Sequence, residues 1–175
     1  MNSEPSQPDL LHAYWRMDYI TEPQRKGGPR GNPFTELPKL EDREALILHR
    51  GKTVYLVLNR YPYNAGHLMV LPYREVPTLA ELSSEERIEL MDTIVLAQKT
   101  LTEAMRPDGF NVGFNFGAAA GAGIPRHLHA HIVPRWEGDT NFMPVLGGTR
   151  VLPQALEQTW EGLRRALERV LQAAS

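Results

Sequence analysis

Three of the chain's six histidines fall within five residues, as His127-Leu128-His129-Ala130-His131. Alternate residues of an extended strand share a face, so the three imidazoles line one side while Leu128, Ala130 and Ile132 line the other. A neutral imidazole is both the commonest zinc ligand and a nucleophile toward phosphorus. Ladder spacing weighs against the metal: at about 3.4 Å per residue the outer Cα atoms stand roughly 13 Å apart, so three rings meet one ion only by leaning over the middle one. Two rings could bind a metal more easily, but a further ligand would have to come from elsewhere, and the chain has no cysteine to supply it. The nucleophile fits the spacing without strain. His129, flanked on both sides, is the natural choice, and with an ordinary pKa of about 6.5 its ring is largely neutral at pH 7. Its other nitrogen then needs an acceptor such as a backbone carbonyl. His127 and His131 are placed to donate to phosphoryl oxygens or a leaving group as charge develops.

The stretch just before the run, Asn115-Phe116-Gly117-Ala118-Ala119-Ala120-Gly121-Ala122-Gly123, is small-residue backbone that can aim N–H groups at phosphate. It matches neither the dinucleotide-binding nor the P-loop spacing, so its weight comes from lying beside the histidines.

The elements that must carry these residues follow from periodicity. Residues 45–49 and 54–58 read as a hairpin around Arg50-Gly51-Lys52-Thr53, and residues 66–71 as a third strand closed by Pro72. A helix is expected over residues 83–105, opened by a Ser83/Glu86 capping box, with Ile88, Met91, Val95, Gln98, Leu101 and Met105 as its stripe. Residues 110–116 and 127–133 read as two more strands, with Pro134 ending the pairing and leaving the histidines at a strand end. A last helix begins near Pro153 with Leu156, Trp160, Leu163, Leu167 and Val170 as its apolar face. Hairpins with a long helix inserted between them argue for an α+β fold with an antiparallel sheet. A length of 175 residues fits one domain; residues 1–13 are expected to be flexible, and the Pro/Gly-rich residues 22–38 to form an exposed loop.

Composition excludes several classes. Without cysteine there are no disulfides and no thiol nucleophile. A net charge of −2 with no block of like charge gives no basic surface for nucleic acid or anionic lipid. No signal pattern or membrane-length apolar run stands out, so a cytoplasmic protein with no membrane partner is expected.

The run His127-Leu128-His129-Ala130-His131-Ile132-Val133 resembles the His-φ-His-φ-His-φ-φ signature of the histidine-triad nucleotide-binding family. Its continuation through Pro134-Arg135-Trp136-Glu137-Gly138-Asp139-Thr140-Asn141-Phe142-Met143-Pro144, together with Asn59-Arg60-Tyr61-Pro62-Tyr63-Asn64-Ala65-Gly66-His67-Leu68-Met69-Val70, is similar to the bacterial branch that includes diadenosine tetraphosphate phosphorylases and hydrolases. The resemblance implies a covalent nucleotidyl group on His129, supported by His127 and His131. It also implies phosphate contact by Asn115, ribose contact by Asn59, a base pocket near Leu58 and Phe34, and a homodimer. Asn59 otherwise reads as a strand-end turn residue, and His67 as a structural histidine. Two departures stand out. Where many members of the branch carry a zinc-binding Cys-x-x-Cys, this chain has Asn32-Pro33-Phe34-Thr35, so no metal or other cofactor is expected and the early loop must be held in another way. Where other branches have a polar Gln-Ser or Gln-Thr step before the triad, this chain has Gly123-Ile124-Pro125-Arg126, which passes the phosphate contacts to Gly123 backbone or to Arg126. The expected activity is hydrolysis or transfer at a nucleoside polyphosphate, with adenine nucleotide as substrate. The alternatives are a phosphoramidate hydrolase, a zinc-dependent hydrolase and a non-catalytic nucleotide-binding module.

Overall fold

The computed structural model describes residues 31–139 and 155–173. In chain order these form a one-turn helix α1 (Pro33–Glu36), a 3-10 turn (Leu37–Lys39), a second short helix α2 (Asp42–Ala45) and three strands, β1 (Ile47–Arg50), β2 (Val54–Leu58) and β3 (Leu68–Pro72). The long helix α3 (Ser84–Met105), the strands β4 (Gly109–Phe114) and β5 (Ala130–Arg135) and the last helix α4 (Leu156–Ala173) complete them. The five strands make one antiparallel sheet in the order β1-β2-β3-β5-β4, and the fold is α+β as the periodicities require. Residues 1–13 and 22–30, two of the segments expected to be loose, lie outside the described residues.

The helix α3 begins where Ser83 and Glu86 exchange both bonds of a capping box, but of the stripe expected from the sequence only Leu101 is buried and Met105 packs against the core. Leu90, Ile94, Ala97 and Leu101 are the apolar residues that turn inward, and α3 packs on β2, β3 and β5. Ile88, Met91 and Val95 stand 62%, 54% and 42% exposed. The helix carries two apolar stripes, and helical spacing alone does not say which one meets the sheet. The polar Gln98 in the expected stripe belongs to this outward side. The helix α4 packs on α3 and β1 through Leu163 and Leu167, both fully buried.

Two further expectations change. Residues 31–38 are no exposed loop: Asn32 is buried, its side chain accepts from the Phe34 N–H, and Pro33 sits at the first helical position. Proline is at home there, because the N–H it lacks would have no helical partner. Pro134 also does not end the fifth strand, since it pairs with Phe110 inside the β4–β5 ladder. β3 reaches β5 only as far as Leu68 opposite Ile132, so at Pro134 the strand has a neighbour on one side only and tolerates the missing donor. The strand therefore starts at Ala130 and leaves His127 and His129 ahead of it, at its N-terminal mouth.

One row of the sheet decides what faces the site. Val57, Met69, His131 and Gly113 are successive cross-strand partners on β2, β3, β5 and β4, and partners across a ladder point to the same side. The opposite side holds Leu56, Val70 and Ala130, all fully buried. The β2–β3 connection ends at Gly66, whose φ is +74° and whose added Cβ would stand 2.6 Å from Met105 Sδ and 3.1 Å from Leu101 Cδ2. Gly66→Ala is expected to destabilise the protein by about 1–2 kcal/mol, chiefly through the left-handed backbone since the Met105 tip can move. Urea denaturation of both proteins measures it, and an unchanged midpoint would remove the constraint.

Candidate active site

The three histidines gather where β5 begins, and every one of them is buried. Their proton positions follow from partners whose own roles are fixed. The Nδ1 of His129 lies 2.8 Å from the His127 carbonyl, which can only accept, so Nδ1 carries the proton and Nε2 keeps its lone pair. The backbone acceptor called for by the histidine spacing is thus supplied two residues back in the same run.

His127 is held at both nitrogens. Its Nε2–H donates to the Pro72 carbonyl at 2.9 Å, and its Nδ1 accepts from Asn32 Nδ2 at 2.7 Å. The Asn32 amide cannot turn over, because its Oδ1 already accepts from the Phe34 N–H while Nδ2 also donates to Glu75 Oε2 at 2.5 Å. This goes against the donor role expected of His127, since no ring N–H is left over for a phosphate. The hydrogen bonds of Asn32 are also the other means of holding the early loop that the missing cysteine pair demanded.

His131 is set from the opposite direction. The Tyr63 N–H donates to His67 Nδ1 at 3.0 Å, and Asn59 Nδ2 approaches the same nitrogen at 3.2 Å. Asn59 Oδ1 accepts from the Tyr61 N–H, so its Nδ2 is the donor. His67 must then carry its proton on Nε2 and donate across 3.0 Å to His131 Nδ1, which places the proton of His131 on Nε2. The rings of His129 and His131 meet edge to face at 4.9 Å.

Of the other expected site residues, Phe34 comes to the triad, its ring centroid 5.4 Å from that of His127 and 5.2 Å from that of His129. Asn115 lies one step past the last ladder pair, Phe114 with Ala130, which brings it opposite His129. Arg126 is exposed, donates to the Gly31 carbonyl at 3.1 Å and stands 3.5 Å from Glu75. Gly123 belongs to the connection ahead of the run. Leu58 is 1% exposed within the core and supports the sheet, and Asn59 serves the turn that holds His67. Asn32, Glu75 and Tyr63 were not singled out as site residues. An Asn-Pro pair is an N-cap signal that could have found the first, whereas nothing local marks the other two.

Among the described residues no group of three or more His, Cys, Asp or Glu is arranged to hold a metal ion. No described helix is long and apolar enough to cross a membrane.

Residues 41–138 match the family model described as HIT domain. The chain belongs to the HIT family. A protein of Mycobacterium tuberculosis named AP-4-A phosphorylase is 48% identical over 161 residues, which cover 87% of this chain and 83% of that protein. The asymmetrical bis(5'-nucleosyl)-tetraphosphatase of Schizosaccharomyces pombe is 31% identical over 53% of this chain and 50% of its own length. A hypothetical histidine triad nucleotide-binding protein from Sulfolobus tokodaii superposes with a TM-score of 0.64 at 24% identity, covering 79% of this chain and 93% of that one, and shares the fold. This HIT protein is accordingly an enzyme of the nucleotide phosphorylase or hydrolase kind, the class expected from the triad.

Burial lowers the pKa of His127 and His129 in this HIT fold. Desolvation is the leading cause for each, opposed by the hydrogen bond to Pro72 at His127 and by that to the His127 carbonyl at His129. His49, half-buried on β1, is lowered for the same reason. A folded pKa below the unfolded value means that acid charges the unfolded chain first. Stability from these groups is therefore complete above about pH 6.5 and is lost as pH falls from there through their folded values. Urea midpoints at pH 7.5, 6.5 and 5.5 should fall in that order, and His129→Asn should flatten the slope. A midpoint that rises with acid would contradict the buried neutral rings.

Proposed function

We propose that the chain cleaves a dinucleoside polyphosphate of the diadenosine tetraphosphate kind through a nucleotidyl-His129 intermediate, which inorganic phosphate then resolves. The observation that carries the reading is the Nδ1–H of His129 held on the His127 carbonyl, because it aims the unprotonated Nε2 out of the run as a nucleophile. Nε2 forms a bond to an α-phosphorus while the anhydride bond to the β-phosphate breaks. ATP leaves as a polyanion that needs no proton, only donors to its developing charge. His131 Nε2–H is the protonated nitrogen beside His129 and fits that part. The adenylylated ring is cationic, and the His127 carbonyl on Nδ1–H offsets that charge. Attack by phosphate on the adenylyl group returns His129 and yields ADP; attack by water would yield AMP. Similarity to the mycobacterial protein named a phosphorylase supports phosphate as acceptor. Asn115 is the residue to contact phosphate, and Phe34, beside the triad, offers an apolar face for the base.

The working form in this reading is a homodimer. β4 is an edge strand whose Val112 is 44% exposed, and the outward stripe of α3, Ile88, Met91 and Val95, is apolar. Among the described residues β4 pairs on one side only, and an edge strand and an apolar helix face are each suited to a second copy across a two-fold axis. Sedimentation at micromolar concentration should give a dimer mass, and Val95→Glu should move it to monomer; a wild-type monomer would overturn this.

Diadenosine tetraphosphate labelled in adenine and quenched within milliseconds should leave label on the wild-type protein in an acid-labile, base-stable bond. His129→Ala should lose turnover and label while keeping AMP binding, and His131→Asn should slow turnover by about 10²–10³, as for one lost donor to developing charge. Label on another residue, or turnover retained in His129→Ala, would sink the mechanism. ADP and ATP in equal amounts with phosphate present distinguish phosphorolysis from hydrolysis, which gives AMP and ATP.

A further inference from the structure

We propose that Asn32 is a positioning residue for nucleotidyl transfer: its amide locks His127 in the Nε2–H tautomer and so fixes the carbonyl that orients His129. The catalytic part rests on the function proposed above; the lock itself is a property of the ligand-free protein.

The ladder of β5 starts at Ala130, so no strand pairing holds residues 127–129. What holds them is one short segment that begins at the last residue of β3. The Pro72 carbonyl accepts from the His127 ring, the Val76 carbonyl accepts from the Leu128 N–H at 2.6 Å, and the Glu75 carboxylate accepts from Asn32. Asn32 closes the arrangement from the other side by donating to His127 Nδ1 at 2.7 Å. The amide oxygen and both amide hydrogens are thereby assigned: Oδ1 to the Phe34 N–H, one Nδ2 hydrogen to Glu75 and the other to His127.

An amide so fixed presents only a donor to His127. A proton on Nδ1 would meet an N–H head-on, and Asn32 could present its oxygen only by giving up both Phe34 and Glu75. The titratable groups around the ring are Glu75 and Arg126, which pair with one another at 3.5 Å, and the neutral His129. Glu75 favours the cation of the ring, but burial outweighs it and Arg126 opposes it, so the His127 pKa is lowered. His127 stays neutral beside a nucleophile that must also be neutral.

The competing account is that Asn32 merely caps α1. The two separate at Asn32→Asp, since aspartate caps a helix as well as asparagine does but has no hydrogen to donate. If capping were all, Asn32→Asp would behave as wild type. If the amide is the lock, the new carboxylate accepts from Nδ1, and His127 takes a second proton. Ring ¹⁵N NMR of the ligand-free protein at pH 7 should show His127 as the Nε2–H tautomer in wild type and as imidazolium in Asn32→Asp. With diadenosine tetraphosphate and phosphate, Asn32→Asp should lose about 10-fold or more in kcat, the usual scale for an outer partner of a reacting histidine. KM should stay near the wild-type value, and the acid limb of the pH profile should move to higher pH. Glu75→Ala, which removes one of the two contacts that stop the amide turning, should give a mixture of His127 tautomers and a smaller loss, and it serves should Asn32→Asp fail to fold by its thermal melt. An unchanged His127 tautomer and rate in the folded variants would overturn the proposal, even with label still trapped on His129. Absence of that label would instead remove the covalent mechanism, and the NMR of the free protein would still decide the lock.

Discussion

The site depends on a single directional bond, from the Nδ1–H of His129 to a carbonyl two residues earlier in its own chain. A buried imidazole has two nitrogens with opposite needs, and once one is committed to a carbonyl the other is a bare lone pair. In the mechanism proposed above that commitment makes a nucleophile without a general base, but it passes the problem of accuracy to the carbonyl. The carbonyl belongs to residues that precede the strand, so the surrounding structure supplies for them what a ladder would otherwise have supplied. The ring of His127, the Leu128 N–H and the segment from Pro72 to Val76 do this together.

Both flanks are set by backbone groups whose roles cannot change. On one side the Phe34 N–H fixes the amide of Asn32, which fixes His127. On the other the Tyr63 N–H fixes His67, which fixes His131. A side-chain network of this kind has one solution for its protons only because it ends on main-chain donors and acceptors. Helix α1 and the turn before β3 act as the two ends of that network, and Gly66 lets the chain make the second end while passing close under α3. A clamp made from an amide also needs no deprotonated ligands, unlike a metal held by cysteine and histidine.

Much of this was legible in the residues. The strand-and-helix pattern, the capping box at Ser83 and the backbone acceptor for His129 all follow from spacing and from the chemistry of imidazole. What was not legible is long-range. Ile88, Met91 and Val95 have the spacing of a core stripe, and only the sheet beneath α3 shows that Leu90, Ile94 and Leu101 are the buried ones. Pro134 looked like the end of a strand because its lost donor matters only where a partner strand would use it. Asn32 and Glu75 are separated from His127 by 95 and 52 positions, and no local rule connects an amide, a carboxylate and a ring so far apart. His67 reads from the sequence as a structural histidine, and in the structure it is buried with its Nε2–H on the triad's His131.

If His129 is the nucleophile, as proposed, burying it does little for the amount of it that is neutral at pH 7. A histidine of ordinary pKa, about 6.5, is already roughly three-quarters neutral there, so pushing the pKa down can raise the reactive fraction by no more than about a third. The same downward shift weakens the ring as a base, which works slightly against it. The gain must therefore lie in geometry. A ring held at Nδ1 and packed against Phe34 and His131 has its Nε2 lone pair fixed in direction, and a reacting pair held in line replaces a search that would otherwise oppose the reaction by several kcal/mol. Only in acid does the population argument take over. About one pH unit below its ordinary pKa, an exposed histidine would be about nine-tenths protonated, and a depressed pKa would then preserve up to about tenfold more nucleophile. The buried triad is thus a device for aiming first and for acid tolerance second.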